Sequence, residues 1–147
     1  MSKDGTDRTK TERYSSLEIE VIHIMEDSIL NSVKKALGID SEFTAFDESL
    51  IMHINSVFFI MAQMGIGKNF IIEDSGSTWS DYLDARSDLE AVKTYMYAKV
   101  RQIFDPPTGG VADALDRTVK ELEWRLFSAT DLIDTKLEDI KPFDYDY

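Results

Sequence analysis

The sequence predicts an all-α protein: a bundle of about four helices with a small loop or β-hairpin insertion and extended N- and C-terminal tails. Two observations predict this class. Apolar residues recur at three- and four-residue steps along several stretches, as on one face of a helix. Glycines and prolines fall at the ends of these stretches, where helices stop. With 147 residues, of which 43% are hydrophobic, the chain can bury one core.

The chain divides into three predicted parts: a polar N-terminal extension (1–16), a helical domain (17–129) and an acidic, aromatic C-terminal tail (130–147). At the start of the domain, from Leu17 to Ile24, apolar residues first alternate and then run together, so strand and helix both stay open.

Two helices are expected next. The first begins near Ser28 and ends at Gly38, with Lys34 and Lys35 in its last turn. For the second, Thr44 followed by Asp47 predicts an N-terminal cap, and Gly65 and Gly67 predict the stop after Met64. Apolar side chains fall on both sides of the second helix, so we expect it to be either central in the bundle or sandwiched between neighbours.

Residues 70–80 contain two short apolar runs around a turn-rich stretch, Glu73-Asp74-Ser75-Gly76-Ser77. This pattern favours a small hairpin or a protruding loop.

The last two helices form a predicted antiparallel hairpin. Ser87 and Glu90 make a capping box for a helix that ends at Asp105, and Pro106 and Pro107 enforce the stop. After the Gly109-Gly110 turn, a leucine- and valine-rich stripe continues to Leu126, with ion pairs at four-residue spacing beside it.

The sequence predicts no catalytic, cofactor-binding or metal-ligating residues, so we expect neither an enzyme nor a bound cofactor. His23 and His53 are the two histidines; His53 lies in a mainly apolar helix with no second nitrogen or sulfur ligand three or four residues on, so a packed histidine is the better interpretation of it. The segment from Gly65 to Lys68 lacks the first glycine, the Ser or Thr and the preceding strand of a phosphate loop. With no cysteine, thiol chemistry is excluded.

Charge and hydropathy limit the classes of binding partner and the cellular location that the sequence predicts. The net charge of −12 opposes binding to a phosphate backbone, so sequence-specific nucleic-acid binding is not expected; excess acid also simply aids solubility. No run approaches a membrane span, and residues 1–16 lack the apolar stretch of a signal peptide. We therefore expect a soluble protein, cytoplasmic where it is made.

Several apolar residues lie off the predicted core faces and are candidates for a subunit interface. Such residues are enriched where partners bury surface, although either terminal segment could instead fold back over them. The candidates are Met52, Phe59, Trp79, Trp124 and Phe127. In the C-terminal tail, Phe143, Tyr145 and Tyr147 are candidates for docking onto a neighbour.

The order of these elements resembles the head-tail connector, or neck adaptor, proteins of tailed bacteriophages. The resemblance spans roughly Glu26 to Ala129 and is carried by several segments, none of them chemically diagnostic. They are Val33-Lys34-Lys35-Ala36-Leu37-Gly38, Ile51-Met52-His53-Ile54-Asn55-Ser56-Val57-Phe58, Thr78-Trp79-Ser80-Asp81-Tyr82-Leu83, Asp88-Leu89-Glu90-Ala91-Val92-Lys93-Thr94-Tyr95, Phe104-Asp105-Pro106-Pro107 and Glu121-Leu122-Glu123-Trp124-Arg125-Leu126.

The resemblance implies a non-catalytic adaptor that forms a closed ring, dodecameric by this likeness, below the portal protein. The ring would link the DNA-filled head to a neck, stopper or tail-terminator protein, and DNA would pass through its lumen. The protein would assemble in the host cytoplasm and remain in the virion neck. The residues themselves leave an alternative open: a small phage-encoded regulatory protein that binds a host partner through its C-terminal tail.

Overall fold

The computed structural model describes residues 15–19, 27–83 and 89–138, with side chains described up to residue 130. The helices of these ranges are α1 (Ile29–Ala36), α2 (Asp47–Gln63), α3 (Trp79–Tyr82), α4 (Leu89–Phe104) and α5 (Gly110–Glu138). Residues 16–19 add one helical turn. The described ranges contain no strand, only an isolated bridge between Ser28 and Thr78. The predicted all-α bundle is confirmed.

Helix α4 is the centre of the bundle, because it packs against α1, α2 and α5. Its C-terminal end meets the first half of α2, where the rings of His53 and Phe104 lie 6.3 Å apart. At the opposite end, the Thr130 hydroxyl of α5 lies 3.5 Å from the Met64 carbonyl that follows α2. Helix α4 is therefore antiparallel to both α2 and α5.

The core lies between α1, α2 and α4, and the short helix α3 closes one side of it. Phe58 of α2 packs against two rings of α3, with centroid distances of 6.2 Å to Trp79 and 4.6 Å to Tyr82. Each such side chain contributes about 1.5–3 kcal/mol by leaving water. Fully buried members are Ile29, Val33, Leu50, Ile54, Val57, Phe58, Met61, Val92, Tyr95, Met96 and Val100.

Helices α1 and α2 end in the same way, and both ends were predicted from glycine. Gly38 and Gly65 adopt positive φ angles of 75° and 78°, which favour a residue without a Cβ. The following N–H groups then turn back: Ile39 donates to the Lys34 carbonyl at 2.8 Å, and Ile66 donates to the Met61 carbonyl at 2.9 Å. These bonds satisfy carbonyls that a helix end leaves without partners.

The predicted N-terminal cap of α2 is wrong. The residue at the cap position is Phe46, and no side chain caps the helix there. Asp47, which was expected to complete the capping signal with Thr44, lies 2.8 Å from the Lys34 ammonium group instead. A tertiary ion pair has taken the place of a local cap.

Of the two alternatives for the insertion between α2 and α3, the loop is confirmed, and it folds back onto α2. The Asn55 side-chain amide donates to the Ile72 carbonyl at 3.0 Å, and its oxygen accepts from the Ile72 N–H at 2.8 Å. Ile66 and Ile72 are buried, so the loop contributes to the core and does not protrude as expected.

The hairpin of α4 and α5 is confirmed, with Gly109 at a φ of 63° in its turn. Ser87, the predicted cap of α4, lies outside the described residues. Helix α5 continues through residue 130, where the sequence places the start of the tail, and ends at Glu138. Its last eight residues, 131–138, follow Thr130, whose hydroxyl lies beside the Met64 carbonyl after α2. None of the described helices is long and apolar enough to cross a membrane.

Candidate interaction surfaces

The outer face of α2 carries two large exposed apolar side chains. Met52 and Phe59 are 60% and 61% exposed, although Leu50, Val57 and Phe58 on the same helix are fully buried. At about 100° of rotation per residue, Met52 and Phe59 lie nearly opposite the buried face. Both therefore point away from the bundle, as the sequence predicted.

Ile71, in the loop that is held against α2, is another exposed apolar side chain, and the sequence analysis missed it. Asn55 lies between Met52 and Phe59 on the helix surface, and its amide holds the backbone of Ile72. Successive side chains of the loop point in opposite directions: Ile72 is buried and Ile71 is the most exposed large apolar residue described. We call Met52, Phe59 and Ile71 the α2 patch.

Helix α5 carries a second apolar surface. Trp124 is 69% exposed and Phe127 is 47% exposed, while Val119 and Leu126 are buried on the side that faces α4. An exposed tryptophan is uncommon on a surface that stays in water, because it leaves a large apolar area unburied. We call Trp124 and Phe127 the α5 patch.

The two patches lie on different sides of the chain. Helix α4 contacts both α2 and α5 and lies between them. Each patch points away from the buried face of its own helix, and hence away from α4. One copy of the chain thus presents two separate apolar surfaces of different shape.

Trp79 is buried in the core, so its prediction as a subunit-interface residue is wrong. Its side chain is 1% exposed, and its indole N–H donates to the Ser32 hydroxyl of α1 at 2.9 Å. A capping box in which Thr78 and Asp81 bond reciprocally begins α3, and the Ile29 N–H of α1 donates to the Ser77 carbonyl just before it at 3.0 Å. A buried indole with a satisfied N–H offers no surface to a neighbouring subunit.

The docking residues predicted in the C-terminal tail, Phe143, Tyr145 and Tyr147, lie outside the described residues. A third exposed apolar group was missed altogether: Phe43 and Phe46 in the loop before α2, and Ile103 in the last turn of α4. Periodicity could not reveal the loop pair, but two phenylalanines in an otherwise polar, acidic loop are a compositional signal.

A polar cluster joins α4 to α5 at the middle of the hairpin. The buried Tyr95 hydroxyl donates to Glu123 Oε1 at 2.8 Å, and the Lys99 ammonium group lies 3.4 Å from the same oxygen. Burial, and then the hydrogen bond to Glu123, raise the pKa of Tyr95 well above its ordinary value. The cluster fixes the register of the two helices, since a one-residue slip would strand a buried hydroxyl.

The exposed side of α5 carries ion pairs at the predicted spacing. Lys120 lies 2.8 Å from Asp116, and Arg125 lies 2.7 Å from Glu121. The hydrogen bond from Lys120 lowers the pKa of Asp116. Exposed pairs of this kind contribute little to stability, so they serve mainly to keep the helix surface polar around Trp124.

Across the described ranges, no group of three or more His, Cys, Asp or Glu side chains is placed to hold a metal ion. The described surface does carry exposed apolar side chains and, on α5, ion pairs.

A family model described as "Phage connector protein" matches residues 29–132, which is more than half of the chain. The match begins at the first residue of α1 and ends within α5. No curated protein and no solved structure matches the chain.

Proposed function

The chain belongs to the phage connector protein family, and on that premise we propose that it is a ring-forming adaptor in the neck of a tailed phage. The ring lies below the portal protein and joins the head to a neck, stopper or tail-terminator protein. The protein assembles in the host cytoplasm and stays in the virion. The observation that supports this role best is the pair of apolar patches on two different helices of one chain, α2 and α5.

A closed ring needs a heterologous contact, in which two different surfaces of each copy pair with the other kind on its neighbours. The α2 patch and the α5 patch meet this requirement. We propose that Trp124 and Phe127 of one copy pack against Met52, Phe59 and Ile71 of the next. The patches combine tryptophan, phenylalanine and methionine, the residue types that interfaces favour.

The proposed role is structural, without catalysis. DNA passes through the lumen during packaging and ejection and is not bound sequence-specifically. The net charge of −12 supports this part of the proposal, because an acidic lumen repels phosphates and lets the duplex slide. The C-terminal tail, with Phe143, Tyr145 and Tyr147, is proposed to dock on a neighbouring subunit or ring.

The decisive experiment is a cryo-EM reconstruction of intact particles, with density for this chain expected as a ring between portal and tail. Density elsewhere, or no density, would overturn the proposed function. A lumen lined by neutral or basic side chains in the same map would remove the explanation offered for the charge.

The lateral contact is tested separately with Trp124→Ala. The variant should keep its fold, because Trp124 is largely exposed, and should fail to join rings on purified portal complexes. Val111→Ala is the matched control, since Val111 is an exposed apolar residue on the same helix outside the patch. Normal ring formation by Trp124→Ala would show that the α5 patch is not the subunit contact.

A further inference from the structure

A third apolar surface lies at the end of the bundle, apart from both side patches. The loop before α2 and the last turn of α4 meet there, and four rings follow one another across the surface. Their centroid distances are 5.4 Å from Phe43 to Phe46, 5.3 Å from Phe46 to Phe104, and 6.3 Å from Phe104 to His53. Phe43 and Phe46 are 49% and 43% exposed, and Ile103, which precedes Phe104 in the chain, is 43% exposed. We call these five residues the tip cluster.

The loop that carries the two exposed phenylalanines is held in one conformation. The Phe43 N–H donates to the Asp40 carbonyl at 3.0 Å, and the Glu42 N–H donates to the Asp40 carboxylate at 2.9 Å. The Asp47 N–H donates to the Thr44 carbonyl at 3.1 Å. The loop is therefore a series of closed turns.

A buried cation ties this loop to the bundle. The side chain of Lys34 is 1% exposed, and its ammonium group donates to the Ser41 carbonyl at 2.9 Å and pairs with Asp47 at 2.8 Å. These two contacts lie on either side of Phe43 in the chain. Burying an ammonium group is costly, and here it fixes a loop whose largest apolar side chains stay in water. Such preorganisation lowers the entropic cost of binding a partner.

The surroundings of the tip cluster are acidic. Exposed acids flank its residues in the chain: Asp40 and Glu42 before Phe43, Glu48 after Phe46, and Asp105 after Phe104. The exposed cations nearby are Lys35, in the last turn of α1, and Arg101, three residues before Phe104. The excess is two negative charges around an apolar centre, so the complementary surface is apolar with a basic rim.

From this combination, and resting on the proposed function, we propose that the tip cluster is an end-on docking site for an axially neighbouring protein of the neck. The segment that docks carries an apolar anchor that packs against Phe43 and Phe46, with Lys or Arg on both sides of it. The tip cluster shares no residue with the α2 patch or the α5 patch, although its His53 directly follows Met52 on α2.

The probes are purified portal protein, the purified neck protein encoded beside this chain, and peptides that tile both sequences. The wild-type chain should bind those peptides that combine Lys or Arg with a large apolar residue, and the affinity should fall as the salt concentration rises. Phe43→Ser should weaken that binding about tenfold or more, whereas Phe43→Tyr should retain it. Leu17→Ser, at an exposed apolar residue remote in sequence, is the control.

Reversing the charge of two acidic residues around the tip cluster tests whether basic residues of the partner bind there. The double variant Glu42→Lys and Glu48→Lys should no longer bind the basic peptides. Its circular dichroism and melting temperature should stay near those of wild type. Unchanged affinity in Phe43→Ser, preference for acidic peptides, or binding confined to a second copy of this chain would each overturn the proposal.

The two proposals fail in different ways. If intact portal and neck proteins bind wild type and Phe43→Ser equally, the tip site is wrong and the adaptor role stands. If neither protein binds wild type at all and particles lack the chain in the neck, the adaptor role is wrong as well.

Discussion

The Tyr95 hydroxyl of α4 donates to the Glu123 carboxylate of α5 across 2.8 Å, and this bond is a buried polar link between the two helices of the hairpin. Lys99, one turn further along α4, lies near the same oxygen of the Glu123 carboxylate. Apolar contacts alone allow helices to slide past one another, whereas a directed bond fixes one register. The relative positions of the α2 and α5 patches therefore depend on this pair.

Tyr95→Phe should destabilise the fold by about 1 kcal/mol, the usual net value of one hydrogen bond. The loss stays modest because Glu123 is partly exposed and keeps Lys99 and water. Equilibrium urea denaturation measures the change. Tyr97→Phe is the matched control, since it removes the same atom from a half-buried ring outside the cluster. Equal losses in the two variants would contradict the role given to the Glu123 bond.

Stability should fall at alkaline pH, and Tyr95 should account for part of the fall. The pKa of this hydroxyl is raised on folding, so its contribution is complete below the ordinary value of 10.0 and is lost as pH rises toward the folded value. Urea midpoints measured from pH 8 to pH 11 should fall less steeply in Tyr95→Phe than in wild type. Parallel curves would show that Tyr95 is not the group responsible.

The pair of Lys34 and Asp47 should respond asymmetrically to substitution. Asp47→Ala leaves a fully buried ammonium group without its counter-charge and should cost about 3 kcal/mol. Lys34→Met should cost less, because the Asp47 side chain left behind is 26% exposed and part of its carboxylate stays in water, although Oδ1 itself is buried. Asp47 Oδ1 accepts no well-directed hydrogen bond, so charge is what holds the pair.

A double-mutant cycle with Lys34→Met and Asp47→Leu measures that coupling. The double variant should be more stable than Asp47→Leu alone, since it buries no unpaired charge. Additive losses would show that the two groups do not act as a pair.

Alanine substitutions at Gly67 and Gly109 separate the cost of a steric clash of the new Cβ from the cost of backbone strain at positive φ. Both have positive φ, 66° and 63°, so alanine strains each backbone by about 1 kcal/mol. Only at Gly67 would the new Cβ meet a neighbour, since it would lie 2.7 Å from Cζ of the buried Tyr82 ring. Gly67→Ala should therefore cost about 2–4 kcal/mol and Gly109→Ala about 1 kcal/mol, by thermal melting. Equal costs would mean that the Tyr82 ring moves aside freely.

Asn55 should hold the loop through both halves of its amide. Asn55→Asp keeps the acceptor for the Ile72 N–H and loses the donor to the Ile72 carbonyl, whereas Asn55→Leu loses both. Hydrogen exchange at the Ile72 amide should therefore be slowest in wild type, intermediate in the aspartate variant and fastest in the leucine variant. The same exchange rate in all three would show that other contacts position Ile71.

The helices were predictable because their signals are local. The glycines that end α1 and α2, and the prolines that end α4, act through the backbone of their own turns. The exposure of Met52, Phe59, Trp124 and Phe127 also followed from helical geometry. Each of these predictions needed only the residues of one element.

The remaining features needed tertiary contacts. Lys34 and Lys35 look alike as basic residues in a last turn, yet Lys34 lies four residues after the buried Leu30 and is buried with it, while Lys35 is exposed. Its pairing with Asp47, which displaced the predicted cap of α2, joins two helices and has no local signature. Trp79 was misplaced because a four-residue helix is too short for periodicity to show which side is buried.

The length of α5 determines both how far the end of the helix reaches and in which direction around the helix axis the chain leaves it. Residues 131–138 add eight residues of helix after Thr130, about 12 Å at 1.5 Å per residue. Each residue inserted or removed there shifts the helix end by about 1.5 Å and also turns everything after it by about 100° around the axis. Insertions and deletions in these two turns should therefore be tolerated far less than substitutions, because they redirect the end of the chain toward a different neighbour.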